Sequence, residues 1–201
     1  MDPSLFYRPG ALLSQQELSA ARLDGLLVEV GEGYMPVDLP EDAGARAAAL
    51  APILSPGYAM SGPTAAWVHG IGDGPPLRHH IQRAVDRRPR VQPRHNVIVH
   101  EGQVPADDLM LVAIMPVTTP LRTLTDLVLT SSRYSECATW MRTMAAACPS
   151  LVPLVQALLA ARSRMPGKRA ALAVVAELLD QRAPGAPGEE FAQEEVTRYT
   201  S

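Results

Sequence analysis

Six arginines, Arg78, Arg83, Arg87, Arg88, Arg90 and Arg94, stand in an 18-residue stretch against one acid, Asp86. Guanidinium groups at that density could neutralise several phosphates and would make polyanion binding strongly salt dependent. The plainer reading is a solvated β-hairpin whose cations balance an acidic front, since residues 1–53 carry eight acids against Arg8, Arg22 and Arg46. No Tyr or Trp is interleaved with these arginines, so stacking on unpaired bases is not supported. A second candidate is the helix predicted over Gln15–Leu26, where Gln15, Gln16, Ser19 and Arg22 could contact bases or phosphates. Its alternative is a helix packed within a small domain with those residues merely wet. Glu17, Asp24 and Glu29, and Glu32 at the tip of the following turn, all oppose a phosphate backbone.

The other chemistry-bearing residues point away from catalysis. His79 and His80 are adjacent and would face opposite sides of a strand, and His95 and His100 are also split. With no paired cysteines and no clustered carboxylates, a metal site is not expected. His69 reads as a cation near a helix C-terminus. Thr118, Thr119, Arg122 and Asp126 could resemble a polar active site, but Thr119 suits a helix cap and Arg122 with Asp126 an i,i+4 pair. No Ser or Cys stands in a nucleophile-elbow context, and Gly70–Gly74 lacks the Lys of a phosphate loop. No catalytic residue and no cofactor are expected. Cys137 and Cys148 read as two buried thiols of a reducing compartment.

The elements that must position these residues follow from caps, turns and periodicity. Residues 8–13 are predicted as a short helix, and Ser14 with Glu17 forms a capping box for the next one. Strands are predicted at 27–30 and 34–37 around a Gly31-Glu32-Gly33 turn. Two short helices followed by a hairpin is the order of a winged helix. Beyond a Pro- and acid-rich linker come a helix at 43–51, a strand at 58–60 and a helix at 64–69 stopped by Gly70. Strands follow at 78–85, 96–100 and 109–115, then a helix opened by Thr119 and Pro120. Helices are predicted at 135–147, 151–164 and 168–181, and Pro184–Gly188 introduces an acidic tail. The fold class is α+β. Residues 1–40 form a small N-terminal winged-helix module, 41–130 a mixed α/β middle domain, 131–183 a helical C-terminal region, and 184–201 a flexible acidic tail.

A length of 201 residues with 47% hydrophobic residues is enough for a real core, and 4% aromatics makes that core Ala-, Leu- and Val-rich. The N-terminus lacks the charged start and apolar run of a secretory signal, and no stretch reaches 18 apolar residues. A cytoplasmic location and no membrane partner are the expectations.

The order of motifs resembles the AbiEi-type antitoxin and transcriptional regulator family of type IV toxin–antitoxin systems, in its actinobacterial branch. Residues Glu17 to Arg22, Gly25-Leu26, Gly33-Tyr34 and Pro36 resemble that family's N-terminal winged helix. Ser61-Gly62-Pro63-Thr64-Ala65-Ala66-Trp67-Val68-His69-Gly70 resembles its second landmark, and Val117 through Leu127 its most specific one. The resemblance implies a front domain that binds operator DNA and represses its own operon. It also implies a following domain that counters a nucleotidyltransferase-like toxin. A homodimer would match a palindromic operator. Pro187-Gly188-Glu189 stands where many relatives begin a Vsr-like nuclease, but no acid cluster with Glu-x-Lys follows, so metal-dependent DNA cleavage is not expected. The alternative is a protein-interaction module that keeps the winged-helix fold without binding DNA.

Overall fold

In the computed structural model, which describes residues 6–87, 94–163 and 166–181, the capping box forms at the start of α1 (Gln15–Leu23). The Ser14 hydroxyl accepts from the Glu17 N–H, and the Glu17 carboxylate accepts from the Ser14 N–H at 2.7 Å. The helix stops short of the predicted Leu26 because Gly25 takes a φ of 73°. The Leu26 N–H then returns to the Ala21 carbonyl at 2.9 Å, closing the last turn.

The short helix predicted over 8–13 does not form. Tyr7 instead exchanges both backbone hydrogen bonds with Tyr34, at 2.8 and 3.0 Å, and the chain turns at Gly10 with φ 86°. Pro9 has no N–H to give a helix beyond its first turn. Among the described residues the front module is therefore one helix and a hairpin, β1 (Leu27–Val30) with β2 (Gly33–Pro36).

The tip of that hairpin is pressed into the rest of the molecule. Gly31 has φ 55°, and a Cβ there would lie 3.1 Å from Leu50 Cδ2 and 3.3 Å from both Ala49 Cβ and Trp67 Cη2. A Gly31→Ala substitution is expected to cost about 2 kcal/mol from overpacking and backbone strain together. Urea unfolding midpoints measure it, and an unchanged midpoint would show that the tip is not packed there. Phe6, Val30 and Met35 accordingly share one apolar core with Leu50, Tyr58, Trp67 and Ile81.

Asp42 caps α2 (Ala43–Ala49), accepting from the Ala45 N–H at 2.7 Å. Four buried alanines on this helix let it approach its neighbours closely. Arg46 then ties it to α3 (Gly62–Val68): the guanidinium donates to the Trp67 carbonyl at 2.8 Å and lies 5.2 Å from the Trp67 ring centre.

The main sheet has five strands in the order β5-β4-β3-β7-β6, built from β3 (Tyr58–Met60), β4 (His79–Arg83), β5 (Val97–Gln103), β6 (Leu109–Val112) and β7 (Met115–Thr118). Two features depart from the predicted elements. The single strand expected over 109–115 is the hairpin β6–β7, reversed at Ala113 with φ 54°. That two-residue turn lacks the Asn-Gly or Asp-Gly that would announce it. Second, β4 and β5 run parallel, so the arginine-rich segment is a crossover between parallel strands and not the tip of a hairpin.

α4 (Pro120–Thr130) starts under a Thr119 cap, and α5 (Ser135–Ala147), α6 (Leu151–Ala161) and α7 (Lys168–Asp180) complete a helical layer. These helices share a second core with Ala66 and Ile71, and Trp140 packs against both cores. Both cysteines are free thiols; Cys137 is buried within this layer and Cys148 is half-buried at the end of α5. No helix among the described residues is long and apolar enough to cross a membrane.

Candidate nucleic-acid interface and buried polar cavity

α1 buries only Leu18, leaving most of its surface in solvent. Gln16 and Arg22 are exposed, Ser19 is half-buried, and Gln15 is exposed but donates to the Tyr34 hydroxyl at 3.0 Å. The Gln15 amide also donates to the Ser19 hydroxyl at 3.4 Å, so two of the four polar side chains are already engaged within the module. The hairpin tip is engaged too. The Glu32 carboxylate accepts from Asn96 Nδ2 at 2.9 Å and lies 3.6 Å from His79 Nε2. This fixes the tip of the would-be wing against the start of β4 and β5.

The parallel crossover decides where the arginines stand. Arg78 and Arg94 are exposed at the end where both strands begin, beside the docked Glu32. Arg83 is at the opposite end of β4, about 13 Å along the strand from His79. It is half-buried and donates to the Asp86 carbonyl at 2.6 Å, and Arg87 is exposed just beyond. Arg88 and Arg90 lie outside the described residues. The four described arginines of the sequence cluster are therefore divided between the two ends of one strand pair.

The same register produces a polar constellation that the sequence pattern did not announce. His80, Gln82 and His100 project from one face of the sheet toward α4, with Ile81 on the opposite, apolar face. The His80 N–H donates to Thr64 Oγ1 at 2.7 Å, and His80 Nδ1 lies 3.0 Å from His100 Nε2, so one of these nitrogens carries the shared proton. Burial, followed by the nearby His100, Arg78 and His79, pushes the His80 imidazole down to about 3. Burial lowers His100 as well. Ser61, cross-strand from His80, completes the floor of a cavity of about 180 Å³. Its hydroxyl does not cap α3, and neither Ser61 Oγ nor His80 Nε2 has a hydrogen-bonding partner among the described residues. Each such buried group costs about 1–3 kcal/mol unless something satisfies it.

Asp126 and Thr130 of α4 form the other wall. Arg122 Nε donates to both Asp126 oxygens, at 2.9 and 2.8 Å, as the i,i+4 spacing implies. Its Nη1 donates to Asp108 at 2.7 Å, a partner that no sequence spacing suggested. Burial opposes the Arg122 charge, but Asp126 and Asp108 outweigh it and hold the guanidinium above its ordinary value. Beside this network, Thr118 and Thr123 share a hydroxyl–hydroxyl hydrogen bond at 2.7 Å.

His69 departs from the reading as a helix-end cation. It does stand at the C-terminal cap of α3, but burial lowers its pKa, against the Thr118 hydrogen bond that raises it. Its Nε2 lies 2.8 Å from the Thr118 carbonyl, which can only accept, so the neutral ring donates there. Among the described residues no group of three or more His, Cys, Asp or Glu is placed to hold a metal ion.

No protein of curated function matches the chain. Among solved structures, the crystal structure of the RV2827C protein from Mycobacterium tuberculosis is similar over 84% of this chain, at 18% identity and a TM-score of 0.42. The chain spans 65% of that protein's length. The family model described as the AbiEi antitoxin C-terminal domain matches residues 58–181. That span opens on the first residue of β3 and closes one residue past α7, taking in the five-stranded sheet, the polar cavity and the helical layer. With more than half of its residues inside that match, the chain belongs to the AbiEi antitoxin family.

Proposed function

We propose that the chain is an operator-binding regulator and the antitoxin of a type IV toxin–antitoxin pair. In this reading residues 1–40 act as a winged-helix module that contacts DNA through Gln16, Ser19 and Arg22, with Gln15 orienting the helix through Tyr34. Arg78, Arg87 and Arg94 supply exposed cations for phosphates, and Arg83, Arg88 and Arg90 belong to the same basic segment. The domain from β3 to α7 counters a nucleotidyltransferase-like toxin. It does so by binding, without catalysis, and a homodimer would match a two-fold operator. The observation that carries the proposal is the family match, which spans the whole of that domain. The weak packing of α1, with Leu18 alone buried, is consistent with a helix kept available for a groove.

Co-expression tests the antitoxin half. The full chain is expected to restore growth to cells producing the nucleotidyltransferase-like toxin of the same operon. Unrelieved toxicity, with both proteins present in the soluble fraction, would sink it.

One observation favours a second reading, in which the front module docks a protein. Its surface exposes Leu12, Leu23 and Leu26 at 85%, 80% and 63%, and its wing tip carries the docked Glu32 where a phosphate would have to approach. Absence of DNA binding at low salt, together with toxin rescue, would select this reading.

A further inference from the structure

The polar cavity between the sheet and α4 is not accounted for by DNA binding or by toxin docking, and the inference drawn from it rests on neither. Its floor is made by two side chains that are 1% and 2% exposed, Ser61 and His80, and each carries a buried polar atom with no partner among the described residues. Its rim is half-exposed, through His100 and Thr130, so the cavity is reachable from solvent. Gln82, 8% exposed, adds an amide to the wall, and Pro63 and Leu129 add apolar surface.

Three properties define what would fit. Size comes first: at about 180 Å³ the space is close to the roughly 150 Å³ cavity that accommodates one benzene, so it takes a single ring and little more. The second is charge. His80 and His100 are held neutral by burial, and the Asp126 carboxylate is already met by Arg122. Among the described residues that line the cavity there is no Lys or Arg to meet an incoming anion. The third is hydrogen-bonding character. Hydroxyl, imidazole and primary amide together offer donors and acceptors, matching a ring whose edge alternates the two.

We propose that this cavity binds a small uncharged cyclic amide of the pyrimidine-base class, with Ser61, His80 and Gln82 hydrogen-bonding its edge. Gly62, beside the His80 ring, leaves room there: a Cβ would stand 3.5 Å from His80 Nδ1, in contact with the ring.

The test is nitrogen-15 NMR of the histidine rings in the full chain, titrated with uracil and, in separate arms, with zinc, inorganic phosphate and benzene. Uracil is expected to shift the His80 and His100 ring signals saturably, with a dissociation constant on the order of 1 mM for a ligand of about eight heavy atoms. Ser61→Ala removes a hydroxyl that makes no bond among the described residues, so the fold should persist while uracil affinity drops about tenfold. Gln82→Leu should weaken uracil similarly. No shift at uracil concentrations about tenfold above that constant would show that the cavity holds solvent alone and overturn the proposal. A response to zinc, phosphate or benzene in place of uracil would overturn it in favour of a cation, anion or apolar site. Uracil shifts indifferent to Ser61→Ala would also overturn it.

Discussion

Arg122→Ala is expected to lower the stability of the fold by about 3 kcal/mol, because it leaves two carboxylates in a largely protein-lined site without their cation. Arg122 and Asp126 side chains are 13% and 19% exposed, and Asp108 is 29% exposed, so solvent can replace only part of what is lost. The network also has a structural task. It joins the first turns of α4 to the 3-10 turn at Ala106–Asp108 that leads into the edge strand β6, while the Thr119 N–H donates to the Asp108 carbonyl at 2.9 Å. Removing both Arg122 and Asp126, as in Arg122→Met with Asp126→Leu, should cost less than Arg122→Ala alone, since no unpaired carboxylate remains on α4. Denaturant unfolding of the two variants checks the order. If Arg122→Ala proves neutral, the guanidinium is not what holds α4 to the sheet.

Acid should have the second large effect. Burial lowers His69, His79, His80 and His100, with His80 carried furthest. Each has a folded pKa below its unfolded value of about 6.5, so the unfolded chain takes up protons first as the pH falls. Stability is complete above that value and declines below it, and for His80 the decline continues to about pH 3. A histidine that stays neutral in the fold contributes a slope of about 1.4 kcal/mol per pH unit, or about 2 kcal/mol between pH 6.5 and 5. His80 alone contributes on this slope, and His69, His79 and His100 add to it in the same direction. Urea midpoints at pH 7.5 and pH 5 measure this above the range where most carboxylates titrate. Equal midpoints would contradict the buried, neutral state of these rings.

The parts of the fold that were legible in the sequence are those set by local chemistry. Ser14 with Glu17, Thr119 before Pro120 and Gly70 after His69 each mark an element boundary close to where it occurs. The i,i+4 contact of Arg122 with Asp126 was legible for the same reason. What escaped was set by chain pairing. Tyr7 pairs with Tyr34 across 27 positions and so overrides a weak helical signal at 8–13. The β6–β7 turn uses Ala113 and Ile114, which carry no turn signature, so two strands read as one. The parallel register of β4 and β5 matters most for function. It separates arginines that look clustered and brings His80 against His100, although neither histidine has a partner at helical or strand spacing.

Operator binding by this family member is read out by fluorescence anisotropy on its own upstream DNA. Wild type would be compared with the combined Arg78→Ala, Arg87→Ala and Arg94→Ala variant between about 50 and 200 mM salt. Tight, sequence-preferring binding is expected, weakening steeply with salt, and the variant should show a log–log salt slope shallower by up to about 3. No binding by the wild-type chain at the lowest salt would contradict operator binding.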